Sequence, residues 1–152
     1  MRSVLFALLV SASVAILDAG PAAAQPIASG ELEPGVRVEV TRLQKLPGAE
    51  IVELRFDLVN ETGKLWSLEK FGAATAYFIT DIELLDLVNG VSYRQGTSGG
   101  DGLSSRFKDG GAVQPGERRS FWMWFKAPPA GVDRLALFVR GAPPILGVPV
   151  SR

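Results

Sequence analysis

Histidine and cysteine are both missing from this chain of 152 residues. Without histidine the chain lacks the commonest general base at neutral pH, the Ser-His-Asp and Cys-His catalytic arrangements, and imidazole ligands for zinc or copper. Without cysteine it lacks thiolate nucleophiles and disulfides, and a lipoprotein anchor is excluded because that lipid is attached to a cysteine. Two methionines are too few for a methionine-rich copper carrier. These absences argue against catalysis, and we expect no cofactor and no metal.

An excess of either charge is also missing, since 16 basic residues balance 16 acidic ones. Nucleic acids and anionic membranes attract proteins with clustered lysine and arginine. No glycine-rich phosphate loop follows a predicted strand and opens a helix. We therefore expect neither a nucleic-acid partner nor a bound nucleotide.

The N-terminus has the three parts of a secretory signal peptide. Arg2 precedes an apolar run from Val4 to Leu17, and Ala22-Ala23-Ala24 stands before Gln25. The run is shorter than the roughly 20 residues that a membrane span needs, and nothing later is long enough. We predict a cleavable signal peptide over residues 1–24 and a periplasmic or extracellular protein; the alternative is an uncleaved anchor.

After the signal, small residues and proline predict a flexible lead-in over residues 25–35, and a single domain over 36–152. Strict alternation of apolar and polar residues predicts strands from Val36 to Thr41 and from Val52 to Leu58. Glu53 and Asp57 alternate with the apolar residues of the second strand, so we expect them on a solvated outer face.

Turn sequences lie between the predicted strands. Pro47-Gly48 and Asn60 to Gly63 predict turns, and Asn89-Gly90 between two strand-like runs predicts a hairpin with a primed turn, in which both residues have positive φ. Residues 64–80 fit either a helical turn or short irregular strands. The glycine-rich stretch from Gly96 to Gly111 predicts a long loop.

The most apolar segment is Ser120 to Phe125. Trp122 and Trp124 share one face of the predicted strand, and Phe121, Met123 and Phe125 share the other. Either both sets lie in the core, the interpretation we prefer, or one set lines a contact surface. Trp66, beside a turn-rich region, is the tryptophan we expect to be partly exposed.

A last strand containing Leu135, Leu137 and Val139 precedes a proline-containing tail, which we expect along an edge. In total, six to eight short strands with turns about every 10 residues predict an all-β protein, an antiparallel immunoglobulin-like β-sandwich. A small closed barrel is the alternative.

The segments "YFITDIELLDLVNGVSY" and "VQPGERRSFWMWFKAPPAGVDRLALFV" resemble small exported bacterial immunoglobulin-like domains of unknown function, some of which occur beside OmpA-like modules. The resemblance covers roughly residues 36–150. It implies the sandwich fold and export, and it supplies no catalytic residues. No OmpA-like module is present in this chain.

Three functions remain open. The preferred one is a non-catalytic interaction or accessory module that binds another envelope or secreted protein, with Arg94, Asp101, Arg106 and Trp66 as candidate contact residues. The second is a protease inhibitor that presents the Gly96 to Gly111 loop. The third is a cell-wall hydrolase with a carboxylate pair. Asp101 and Asp109 could bind calcium, but their spacing does not match an EF-hand, and an ordinary loop is the better interpretation.

Overall fold

A computed structural model of the chain describes residues 25–71, 81–95 and 111–152. Within these ranges the protein is all-β, with one short 3₁₀ turn at Leu68–Phe71 and no α-helix. Ten strands follow one another along the chain: β1 (Ala28–Glu33), β2 (Val36–Lys45), β3 (Ile51–Asn60), β4 (Trp66–Ser67), β5 (Ile82–Asp86), β6 (Val91–Arg94), β7 (Ala112–Val113), β8 (Arg118–Lys126), β9 (Arg134–Val139) and β10 (Ile145–Pro149). The predicted signal peptide lies outside the described residues.

The strands form two four-stranded antiparallel sheets and one small two-stranded sheet. The first sheet has the order β1-β2-β3-β8, the second has the order β10-β9-β5-β6, and β4 pairs with β7. The predicted all-β class with antiparallel sheets is therefore confirmed. The strand count exceeds the predicted six to eight because β1 and the two-residue strands β4 and β7 have no alternating pattern of their own.

Both large sheets contribute to one hydrophobic core, because the apolar residues of each alternating strand share one side of it. The largest fully buried side chains come from both sheets and from the 3₁₀ turn: Phe56, Phe125, Leu43, Leu54, Leu58, Leu68, Ile82, Leu84, Met123 and Leu135. Phe56 and Phe121 stack with ring centroids 5.3 Å apart. Aromatic area of this size contributes a large share of the burial that stabilises a small domain.

The prediction of a flexible lead-in over 25–35 is wrong, because Ala28–Glu33 forms β1 and pairs with β2. The packing explains this strand. Gly30 lies against Ile145 of β10, and a Cβ built on Gly30 would be 2.5 Å from Ile145 Cγ1. A glycine is needed where the edges of the two sheets approach this closely, and the same glycine makes the segment look flexible in the sequence.

Two further contacts join the sheets at their edges. The main chain of Ser151 pairs with β2, donating to Leu43 O at 2.8 Å and accepting from Lys45 N at 2.9 Å. Gln95, directly after β6, forms an antiparallel bridge with Phe125 of β8. The tail does run along an edge, as expected, since β10 is the edge strand of the second sheet.

The Asn89-Gly90 hairpin is confirmed, but its predicted primed turn is wrong. Asp86 pairs with Val91, so the loop has four residues, and only Gly90 among them has positive φ, at 66°. Asp86 determines this geometry through hydrogen bonds described below. No helix in the described part of the chain is long and apolar enough to span a membrane.

Candidate functional site

The outer face of the first sheet carries a row of charged residues across three strands. Glu39 of β2 lies opposite Asp57 of β3, and Asp57 lies opposite Ser120 of β8. These residues alternate with the buried apolar residues of their strands, so their side chains point away from the core. The row therefore places two carboxylates next to each other on one face.

Arg118 joins these two carboxylates. Its Nη1 donates to Glu39 Oε2 at 2.5 Å and to Asp57 Oδ2 at 2.9 Å. Arg37 Nε donates to Glu39 Oε1 at 2.7 Å, and Ser120 Oγ donates to Asp57 Oδ1 at 2.7 Å. We call these five residues the carboxylate row. Every carboxylate oxygen of the row accepts a hydrogen bond, so each charge is compensated where it is buried.

The burial of the carboxylates on this face corrects the expectation of a solvated outer face. Glu53 and Asp57 do lie on the outer face, but each is only 8% exposed, and Glu39 is 6% exposed. The alternating pattern correctly predicts the side of the sheet. It says nothing about the long arginine and tryptophan side chains of the neighbouring strands that cover the carboxylates.

The electrostatics favour the ionised form of Glu39. Burial raises the pKa of this carboxyl, but the hydrogen bonds from Arg118 and Arg37 outweigh burial and leave the pKa below its ordinary value. A general acid in a glycosidase needs the opposite shift. The geometry is that of an ion-pair network, and within the described residues no group of three or more acidic side chains could hold a metal ion.

Beside the carboxylate row, two tryptophans lie on the same outer face. Trp122 and Trp124 are half-buried, with ring centroids 5.3 Å apart and planes tilted by 51°. Our preferred interpretation, in which both faces of the Ser120 to Phe125 strand belong to the core, is therefore wrong. Phe121, Met123 and Phe125 are in the core, whereas the two indoles remain partly exposed. The physical reason is the alternation of the strand, which turns Phe121, Met123 and Phe125 toward the core and the two tryptophans toward the opposite side of the sheet.

Glu53 fixes the orientation of its neighbours. Its Oε2 accepts from Trp124 Nε1 at 3.2 Å, and its Oε1 accepts from Arg55 Nε at 2.7 Å. The hydrogen bond from Arg55 lowers the pKa of Glu53, burial opposes this, and the bond from Trp124 adds to the lowering. The indole and the guanidinium are thus held in place by one ionised carboxylate.

The β5–β6 hairpin presents an exposed apolar tip on the other sheet. Leu87 is 64% exposed and Val88 is 93% exposed. Buried Asp86 holds the turn, because its Oδ1 accepts from the main-chain amides of Val88 and Asn89 at 3.0 Å and its Oδ2 accepts from Asn89 Nδ2 at 2.7 Å. The Asn89 side chain, then the backbone amides, lower the pKa of Asp86. Two aliphatic side chains therefore project from a hydrogen-bonded turn.

The structure describes two of the four predicted contact residues. Arg94 lies at the end of β6, exposed, with its Nε 2.9 Å from Glu83 Oε1. Trp66 is only 5% exposed, so the expectation of partial exposure is wrong; β4 pairs with β7 and brings this indole into the core. Asp101 and Arg106 lie outside the described residues, as do Asp109 and the Gly96 to Gly110 part of the predicted loop.

Sequence reasoning missed the carboxylate row and the hairpin tip. The row left a signal in the sequence, since Arg37 and Glu39 alternate with apolar residues as Asp57 does, but their cross-strand pairing depends on register. The tip left a second signal, because Leu87-Val88 stands directly before Asn-Gly, where apolar residues are unusual.

Comparisons with known proteins identify no relative. No protein-family model matches the chain, no curated protein matches it, and no solved structure matches it.

Proposed function

We propose that this chain is an exported, non-catalytic interaction or accessory module of the cell envelope, which binds another envelope or secreted protein. The observation that supports this proposal best is the β5–β6 hairpin tip, where Leu87 and Val88 are exposed on a turn fixed by Asp86. Exposed aliphatic side chains on a pre-organised turn lose little conformational entropy on binding, which favours a docking role.

The fold that we propose is an immunoglobulin-like β-sandwich. If β2, β3, β5, β6, β8, β9 and β10 are taken as strands A, B, C, C′, E, F and G, the two sheets have the orders A-B-E and G-F-C-C′. Immunoglobulin-like domains divide their strands between sheets in this way, with C, F and G together in one sheet and A, B and E in the other. Strand β1 would then be an addition before strand A.

The partner that we propose has an apolar pocket for the hairpin tip and polar groups around it. Farther along the hairpin, Glu83 of β5 and Arg94 of β6 lie opposite each other and form an ion pair, and Ser92 Oγ donates to Glu83 Oε2 at 2.8 Å. An interface centred on the tip would have these polar groups toward its periphery, which is the usual organisation of a protein–protein interface. Nothing in this arrangement attracts a strongly charged partner.

Export is supported by the N-terminal sequence, in which Arg2, the apolar run and the predicted cleavage site after Ala22-Ala23-Ala24 follow one another. The non-catalytic assignment is supported by the missing histidine and cysteine and by the ion pairs of Glu39, which favour its ionised form.

The experiment is a crosslinking pull-down from cells that produce the protein, using the chain tagged at its C-terminus. The test variant is Leu87→Ser with Val88→Ser, and the matched control is Leu146→Ser, since Leu146 is 63% exposed on β10. We expect one envelope or secreted protein to be captured by the wild type and by the control and lost with the test variant. The captured protein must then bind in purified form with the same dependence on the variants.

Two outcomes would overturn the proposal. One is a purified partner that binds the test variant as well as the wild type. The other is a hydrolytic activity of the purified chain that disappears when one carboxylate is replaced. If the captured protein is a protease that the wild-type chain slows, the function is inhibition, which was the second hypothesis from the sequence.

A further inference from the structure

The outer face of the first sheet also places two arginines beside the two tryptophans. Arg42 of β2 lies opposite Arg55 of β3, and Arg55 lies opposite Trp122 of β8. In the adjacent row Glu53 lies opposite Trp124. Side chains directly opposite each other in antiparallel strands have Cβ atoms about 5 Å apart. These five residues therefore form one continuous surface, which we call the Arg–Trp strip.

The strip has an excess of positive charge. Like charges directly opposite each other on a sheet are unfavourable, and a bulge at Val40–Arg42 brings Arg42 into register with Arg55. Glu53 is the single carboxylate of the strip, and it already accepts from Arg55 and Trp124. Arg42 is exposed and makes no direct ion pair within the described part of the chain, although its charge also helps to lower the pKa of Glu53. An anion placed between the two guanidinium groups would relieve their repulsion.

The indoles supply the other half of a binding surface. Because the Trp124 Nε1–H donates to Glu53, that ring is held at a fixed angle, 51° from the ring of Trp122. Both rings are partly exposed. Indole faces pack well against the C–H face of a pyranose ring, which is apolar, while a carboxylate at the rim of the sugar accepts hydrogen bonds from donors such as guanidinium groups.

We propose that the Arg–Trp strip binds an acidic saccharide, with the sugar ring on Trp122 and Trp124 and its carboxylate on Arg42 and Arg55. Guanidinium groups bind carboxylates through paired hydrogen bonds, and Arg42 has all its donors available for this within the described structure. The strip lies on the first sheet and the hairpin tip on the second, so this binding goes beyond the proposed function and does not depend on it.

A nucleic acid fits the strip less well, although aromatic side chains also stack on bases. The carboxylate row lies directly beside the strip, with Glu39 and Asp57 on the same face. The chain as a whole carries no net charge. A strand of successive phosphates would meet this acidic row, whereas an acidic saccharide needs to place only one carboxylate-bearing ring on the strip.

The experiment is isothermal titration of the purified chain with a trimer of galacturonic acid and, as the matched neutral probe, with its fully methyl-esterified form. The variants are Arg42→Gln, Arg55→Gln, Trp122→Ala and the milder Trp122→Phe. The control is Arg140→Gln, which removes a charge from an arginine whose side chain is 76% exposed on a different part of the surface.

We expect the acidic trimer to bind at least about tenfold more tightly than the neutral ester. We expect Arg42→Gln and Arg55→Gln to remove this preference, Trp122→Ala to abolish binding, Trp122→Phe to retain part of it, and Arg140→Gln to change nothing.

Equal binding of both trimers, loss of affinity with the Arg140 variant, tighter binding of a dithymidine dinucleotide, or no heat with either trimer at millimolar concentration would each overturn the proposal. Leu87→Ser with Val88→Ser must leave saccharide binding intact, which separates this test from the test of the proposed function.

Discussion

Glu53 lies opposite Trp124 in the pairing of β3 with β8, and the indole Nε1 donates to Glu53 Oε2 at 3.2 Å. The same carboxylate accepts from Arg55 on its own strand. A charged group in the middle of a sheet thus connects the aromatic edge strand to the strand beside it. The outer face is consequently an ordered surface, in which the polar ends of an indole and a guanidinium have fixed partners.

Loss of Arg118 should destabilise the fold more than loss of a surface arginine. Arg118→Met leaves Glu39 and Asp57 facing each other without their shared cation, and both are less than 10% exposed. Because the Arg118 side chain is itself 37% exposed, we expect a loss of about 1–3 kcal/mol rather than the full cost of breaking a buried ion pair. Urea denaturation measures the difference.

The control for this variant is Arg140→Met. Arg140 pairs with Asp81 at 3.0 Å, but its side chain is 76% exposed, so we expect a loss of no more than about 1 kcal/mol. Equal losses for the two variants would show that the carboxylate row contributes no more than an ordinary surface ion pair.

Stability should decrease on acidification. The pKa values of Glu39 and Glu53 are below their ordinary values in the folded protein, whereas in the unfolded chain glutamate titrates near 4.3. As the pH falls through that value the unfolded state binds protons first, so the free energy of unfolding decreases until the pH passes the lower folded-state pKa values. Above about pH 5.5 these two groups should add no pH dependence.

Urea denaturation at a series of pH values tests this expectation, with Glu39→Gln and Glu53→Gln as comparison variants. Each variant should have a shallower decrease below about pH 4.5 than the wild type, because one titrating group has been removed. A decrease equally steep in the wild type and in both variants would assign the acid sensitivity to other carboxylates, such as Asp86 and Glu117, whose pKa values are also lowered.

The sequence predicted the inward faces of the sheets better than their outward faces. Alternation in β2, β3 and β9 identified buried residues such as Val38, Phe56 and Leu137, because the period of a strand is a local property of the chain. The ion pairs between Arg118, Glu39 and Asp57 join residues 61 and 79 positions apart in the chain. They depend on register, which the local pattern does not contain.

The two wrong exposure predictions for tryptophan have the same cause. Trp66 belongs to a two-residue strand that has no visible period, and it is buried because β7 pairs with β4 from more than 40 positions away. Trp122 and Trp124 follow a clear period, but the pattern does not say whether the outer face of β8 has a second layer. Burial of a large residue on a short or edge strand is decided by tertiary neighbours.

Asp86 should hold the β5–β6 turn rigid. Asp86→Ala removes three acceptor interactions, with the amides of Val88 and Asn89 and with the Asn89 side chain. We expect faster hydrogen exchange at the Val88 and Asn89 amides, measured by NMR, and weaker capture of the partner in the pull-down described above, since the tip would no longer be pre-organised.

Glu83→Ala is the matched control for the turn, because Glu83 lies on the same strand and binds Arg94 and Ser92 without contacting the loop. Its exchange rates at Val88 and Asn89 should stay close to those of the wild type. If the Asp86 variant exchanges no faster than this control, the turn is held by its backbone conformation alone.

Gly30 should tolerate no larger residue while Ile145 is present. A Cβ at position 30 would be 2.5 Å from Ile145 Cγ1, so Gly30→Ala must push β1 away from β10, and we expect a loss of about 1–3 kcal/mol in urea denaturation. Ile145→Ala removes Cγ1 and should cost about 2–5 kcal/mol by leaving a cavity. In the double variant the new methyl group occupies part of that cavity, so the combined loss should be smaller than the two single losses together, with a coupling of about 1 kcal/mol or more. Strict additivity would mean that β1 does not pack on the second sheet, and residues 25–35 would then be the flexible lead-in that their composition suggests.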